Sequence, residues 1–152
     1  MPLLDTLADI PRATLPLPWL ITAGQPSAEQ FRDAQAAGVS LVIDLRDPME
    51  SRPFDEPATV RGLGMEYLNV PTVPGALSDT MMDQVIAALR TATGKPTLLH
   101  FASANRIGGP LIAFLILDEG MNEQDAVQAA MRAGVRSPEM IEWGVEYSRK
   151  PR

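Results

Sequence analysis

Residues Pro96–Gly109 read PTLLHFASANRIGG. Thr97–Phe101 has the outline of a strand, and Arg106 opens a strongly apolar stretch to Asp118 that reads as a buried helix. The residues between them are small or polar. A tight turn from a strand into a helix N-terminus aims several backbone N–H groups into one concavity, and the helix dipole adds about half a positive charge there. Arg106 at the first turn offers a planar, bidentate fork to an anion. Ser103 and Asn105 have side chains that bond an anion or brace the loop, while Ala102 and Ala104 keep it narrow. The stretch reads as an oxyanion pocket. Composition alone fits a plain strand–helix junction as well.

Working outward, Trp19–Ala23 is a short strand ended by Gly24-Gln25-Pro26. Ser27 caps the next helix, with Gln30 completing a capping box and Gly38 supplying the stop. Ser40–Leu45 (SLVIDL) is continuous and rich in β-branched residues, as a strand buried on both faces should be. Arg46–Gly64 is polar and broken by prolines, a long connection. Met65–Val70 is a further strand, followed by the loop PTVPGALS. Asp79–Thr93 is helical with Met82, Val85, Ile86 and Leu89 on one face. Asn122 caps a helix that Gly134 stops, and Ser137-Pro138-Glu139 starts the last one. This alternation predicts a single-domain α/β fold: a mainly parallel sheet of four to five strands with helices on both faces. The proline-rich residues 1–18 are expected to be an extended arm lying on a domain that spans residues 19–150. In such sheets ligands gather at the carboxyl ends of the strands, where the opening loop sits.

Composition narrows the chemistry. The 152 residues carry a net charge of −6, which disfavours nucleic acid or an anionic membrane as the main partner. With no cysteine there is no disulfide, thiol catalysis or thiolate metal site, and His100 is the sole histidine. No metal and no cofactor are therefore expected. No apolar run reaches the roughly 18 residues of a membrane helix. The N-terminus lacks a basic start and is interrupted by Pro2, Pro11, Pro16 and Pro18, so a cytoplasmic location is expected.

Gly24-Gln25-Pro26, Ser27, Val42-Ile43-Asp44-Leu45-Arg46, Asn69-Val70-Pro71, His100-Phe-Ala-Ser-Ala-Asn-Arg106 and Glu119-Gly-Met-Asn-Glu-Gln-Asp-Ala126 follow one another in a telling order. The chain from Trp19 to Tyr147 resembles the phosphatase-like domain of beta-lactamase-hydrolase-like proteins, a branch of the tyrosine and dual-specificity phosphatase superfamily. The resemblance implies covalent phosphoryl transfer. A cysteine thiolate attacks phosphorus, loop amides and an arginine hold the oxygens, and an aspartic acid protonates the leaving group.

Three departures weigh against that chemistry here. Phe101 stands where the family keeps its nucleophile, and a phenyl ring cannot attack phosphorus. Ala104 replaces a loop glycine. The proline-rich loop has no Asp, so Asp79 is the nearest candidate acid, and it equally fits a helix N-cap with Ser78. Asp47 and Glu50 fit either the same pocket or a solvated turn. Asp44, on a buried strand, needs a partner, for which Arg46 or Arg106 is available. His100 reads as a hydrogen-bonded core residue bracing the loop, and Ser103 has no neighbouring base to activate it.

The expected function is thus a catalytically inactive or impaired phosphatase-like protein that binds phosphate, another small oxyanion or a phospho-ligand through Ala102, Ser103, Ala104, Asn105 and Arg106. It could also serve as a protein-interaction module. His100, Asp44 and Arg46 would support the loop. One alternative is a phosphoric-ester hydrolase that activates water through Asp47, Glu50 or Asp79. Another is a purely structural protein that assembles through Leu15–Trp19 or through Met140, Trp143 and Tyr147.

Overall fold

The computed structural model describes residues 9–46, 54–71, 78–101 and 105–150, the side chains of residues 105 and 106 excepted. Five strands form one sheet: β1 (Thr14–Leu17), β2 (Leu20–Ala23), β3 (Leu41–Asp44), β4 (Glu66–Asn69) and β5 (Thr97–His100). Their order is β1-β2-β5-β3-β4. The last four strands of that order run parallel, and β1 joins the edge antiparallel to β2. Every residue of β2, β3 and β5 is buried, whereas the edge strand β4 alternates between exposed and half-buried positions. That contrast follows from position, because only the inner strands are covered on both faces.

The pleat divides the core in two. Leu20, Ile43, Leu45, Leu99 and Phe101 belong to the larger cluster, which includes residues of α3 (Asp79–Ala92), α4 (Asn105–Leu117), α5 (Glu123–Arg132) and α6 (Pro138–Arg149). Ile21, Ala23, Val42 and Leu98 belong to the smaller one, with Phe31 and Ala34 of α1 (Ala28–Ala36) and Val60 of α2 (Glu56–Gly62). Successive residues of one strand thus feed opposite clusters, as a period of two requires. The helices lie in two layers about a mainly parallel sheet, as the sequence pattern predicts.

The predicted helix starts are present as physical caps. Ser27 and Gln30 form both hydrogen bonds of a capping box, and Gly38 after the helix has a φ of +103°. Ser78, Asn122 and Ser137 each accept a backbone N–H at the start of α3, α5 and α6. Two expectations need correction. The connection Arg46–Gly64 contains the seven-residue helix α2, capped by Asp55, whose carboxylate accepts from Ala58 N at 3.3 Å. Pro57 in its first turn is harmless because the N–H it lacks would have had no partner there. The proline-rich arm also contributes β1. Pro16 is tolerated because an edge strand need not donate on both sides, and Thr14 Oγ1 and Thr22 Oγ1 tie the pair at 2.8 Å.

Residues offered for assembly mostly serve the core. Leu17, Met140 and Tyr147 are buried, and Trp19 meets Phe114 edge-on at 6.1 Å between ring centroids. Trp143 lies over Gly109, where an added Cβ would come within 2.5 Å of its ring. Leu15 and Pro18 are the exposed members of this set. No helix among the described residues is long and apolar enough to cross a membrane.

Candidate functional site

The carboxyl ends of β2, β3, β4 and β5 converge on a buried polar cluster. Asp44 ends β3, His100 ends β5, and the two are register partners on adjacent parallel strands. Their side chains fall on the α1–α2 side, where the His100 ring stands edge-on to Phe31 at 6.0 Å. Glu56, the first residue of α2, reaches into the same space. Asp44 and His100 are completely buried, and Glu56 is 1% exposed.

Burial of two carboxylates is costly unless their oxygens are satisfied. Here all four oxygens have partners. Asp44 Oδ1 accepts from the backbone N–H of Arg46 at 2.9 Å, and Oδ2 accepts from the Tyr67 hydroxyl at 2.6 Å. Glu56 Oε1 accepts from Gln25 Nε2 at 2.8 Å, and Oε2 lies 2.5 Å from His100 Nε2. Arg46 Nη1 in turn donates to Gln25 Oε1 at 2.8 Å. The orientation of the Gln25 amide follows from chemistry, since a guanidinium only donates and an ionised carboxylate only accepts. Asn69 Nδ2 closes the end of the sheet by donating to the carbonyls of both Asp44 and Arg46, each at 2.8 Å.

One polar chain therefore runs Arg46–Gln25–Glu56–His100. It joins the segments that follow β2 and β3 to the end of β5, from which the predicted oxyanion loop departs. Gly24 permits the close approach that this corner needs: its N–H donates to Pro11 O at 2.7 Å, and a Cβ there would stand 3.1 Å from the same oxygen.

Asp44, Glu56 and His100 are also ligand types for a cation, with one donor atom of each within 4.8 Å of the others. Their geometry is that of direct hydrogen bonding. Tetrahedral zinc, with ligands near 2.0–2.2 Å, would hold its donor atoms roughly 3.3 Å apart. The 2.5 Å between His100 Nε2 and Glu56 Oε2 leaves no such space.

The structure brings Asp44, Arg46 and His100 together, as the three supporting residues of the sequence reading. It adds Glu56, Gln25 and Tyr67, which that reading missed. Glu56 sits in a segment that looks solvated, and its only sequence signal is an acid in the first turn of a helix that was itself not anticipated. Phe101 is fully buried in the larger cluster, with its N–H bonded to Ala23 O at 3.1 Å. Asp79 lies at the first turn of α3, 57% exposed, with its carboxylate 2.5 Å from Lys150 Nζ. Ala102, Ser103 and Ala104, like Asp47 and Glu50, lie outside the described residues. So do the side chains of Asn105 and Arg106, whose backbone opens α4.

No family profile matches the chain, and no curated protein matches it in sequence. Solved structures do match. A DUF442 protein from Shewanella putrefaciens, provisionally assigned as a phosphatase, superposes with a TM-score of 0.80 at 22% identity, over 95% of this chain and 96% of that one. Tk-PTP in its active form gives 0.76 at 19% identity, over 93% and 99%. P. aeruginosa TpbA, a Cys-to-Ser variant in complex with phosphotyrosine, gives 0.66 at 21% identity, over 88% and 80%. The chain has the fold of the tyrosine and dual-specificity phosphatases.

Proposed function

We propose that this protein is a phosphatase-fold oxyanion binder that lacks the covalent step. Residues 102–106 form the binding loop, Arg106 supplies the cationic fork, and Phe101 occupies the nucleophile position. The observation that carries the reading is the junction itself. The central parallel strand β5 ends at His100, and α4 begins at Asn105, so a helix N-terminus opens at the carboxyl edge of the sheet. Anions favour such a place because unpaired N–H groups and the helix dipole point the same way. TpbA carries phosphotyrosine on the same fold, which supports a phosphate ester or free phosphate as the ligand class.

With the nucleophile position buried and apolar, binding is separated from turnover. Isothermal titration of the purified chain with phosphate, tungstate and phosphotyrosine tests this, with Arg106→Ala as the paired variant. Saturable binding that Arg106→Ala abolishes is expected, with no hydrolysis of aryl phosphates by the wild type. Absence of binding at millimolar anion would overturn the reading.

A further inference from the structure

We propose that Glu56 is a positioning residue for the anion loop, acting through His100. The inference rests on the oxyanion reading above and extends it to a residue outside the loop. Glu56 and His100 are 44 positions apart, and both are buried, yet they approach to 2.5 Å. His100 is the last paired residue of β5, two positions before residue 102; sheet bonds at 100 and 101 hold the backbone there, and the bond from Glu56 holds the His100 side chain at the same point of departure.

Donor and acceptor polarity gives the chain a direction. Arg46 donates to Gln25, and Gln25 donates to Glu56. Glu56 has only acceptors when ionised, so the hydrogen between it and the imidazole belongs to His100 Nε2. In the neutral ring that leaves Nδ1 bare. Nδ1 is buried and meets no hydrogen-bond partner among the described residues. Glu56 thus sets both the orientation of the ring and which of its nitrogens carries hydrogen, in the manner of outer partners that orient a histidine elsewhere.

Glu56→Gln tests this with nearly unchanged shape. The introduced amide can accept from Gln25 only with its oxygen, so its N–H2 group must face His100 Nε2 and drive the hydrogen to Nδ1. Nitrogen-15 NMR of the His100 ring reads that switch directly. Titration with tungstate reads its effect on the loop, with wild type and Arg106→Ala measured alongside. The expected result is a hydrogen on Nε2 in the wild type, a hydrogen on Nδ1 in Glu56→Gln, and tungstate affinity at least tenfold weaker in the variant while its thermal transition remains cooperative.

Gln25→Ala cuts the same chain one step further out, at a half-buried residue, and should weaken tungstate in the same direction by a smaller factor. If Glu56→Gln does not fold, the affinity of Gln25→Ala decides: within twofold of wild type it overturns the role. Wild-type binding that Arg106→Ala removes but Glu56→Gln leaves within twofold overturns the positioning role alone. No wild-type binding, or binding unaffected by Arg106→Ala, overturns the oxyanion reading and the positioning role with it.

Discussion

Asp44 of β3 and Tyr67 of β4 lie diagonally across neighbouring strands, with the tyrosine hydroxyl donating to Asp44 Oδ2 at 2.6 Å. Tyr67 is half-buried and Asp44 wholly so, which makes the phenol the cover of a buried charge. Removing only the hydroxyl takes one donor away from a desolvated carboxylate oxygen. A hydrogen bond to a charged group contributes about 1.5–3 kcal/mol, so Tyr67→Phe should lower unfolding free energy by that amount in urea. A loss under half a kilocalorie would show that water replaces the phenol freely.

Glu56→Ala removes the acceptor shared by His100 and Gln25. Deleting it leaves two donors, one buried and one half-buried, without their acceptor, each at a cost of about 1–3 kcal/mol. Denaturant unfolding should show the combined loss, larger than that of Tyr67→Phe. An equal or smaller loss would mean that the cluster is wetter than its burial indicates.

Gly109 and Gly144 mark where α4 and α6 touch. A Cβ on Gly144 would fall 2.6 Å from Gly109 O, and one on Gly109 would fall 2.5 Å from the Trp143 ring. A ring can tilt and a helix carbonyl cannot. Overpacking typically costs about 1–3 kcal/mol, and Ala recovers at most about 1 kcal/mol through its helix propensity. Gly144→Ala should therefore lower Tm, and by more than Gly109→Ala. The reverse order would place the rigid partner on the wrong side.

Glu123 and Arg149 join α5 to α6, with N–O distances of 2.6 and 2.5 Å. The hydrogen bond from Arg149 holds the Glu123 carboxyl below its ordinary value. A depressed acid contributes stability above its unfolded-state value and loses it as pH falls through the folded-state value. Wild type should therefore melt higher than Glu123→Gln near neutrality, and the gap should close as the pH drops below the usual carboxylate range. A gap that persists in strong acid would assign the difference to packing.

Phe101→Cys tests the proposal that the covalent step is absent. Phe101 is fully buried, and truncating a core phenylalanine to alanine costs about 3–5 kcal/mol. Cysteine should cost somewhat less. If loop and arginine are retained, the variant should hydrolyse an aryl phosphate whose leaving group needs no proton, while the wild type does not. Turnover by the wild type would end the non-catalytic reading.

Much of this was legible from residue order. Ser40–Leu45 announced itself as a continuous β-branched run, and Ser27, Ser78, Asn122 and Ser137 marked helix starts because capping is a local interaction. Asp44 declared its need for partners by sitting in such a run. Its partners were less legible: Tyr67 comes from the next strand, and Arg46 contributes its backbone N–H. Local rules failed at α2, where proline and glycine mask a helix that tertiary packing holds. Glu56 was lost with it, since nothing in the order of residues puts an acid from a polar segment against a histidine 44 positions away. β1 was hidden by its prolines for the same reason.

The alternation at the end of β5 also bears on how such a protein drifts. His100 belongs to a polar network on one face, while the next side chain, Phe101, belongs to the larger apolar cluster on the other. On the proposed reading, replacing the nucleophile by a phenyl enlarged a filled interior. Restoring the thiol would leave a void that neighbouring helices have no spare atoms to fill. Loss of chemistry at this position would then act as a partial ratchet: entered by one substitution, and reversed by one only at a cost in stability that changes in the surrounding core would have to offset.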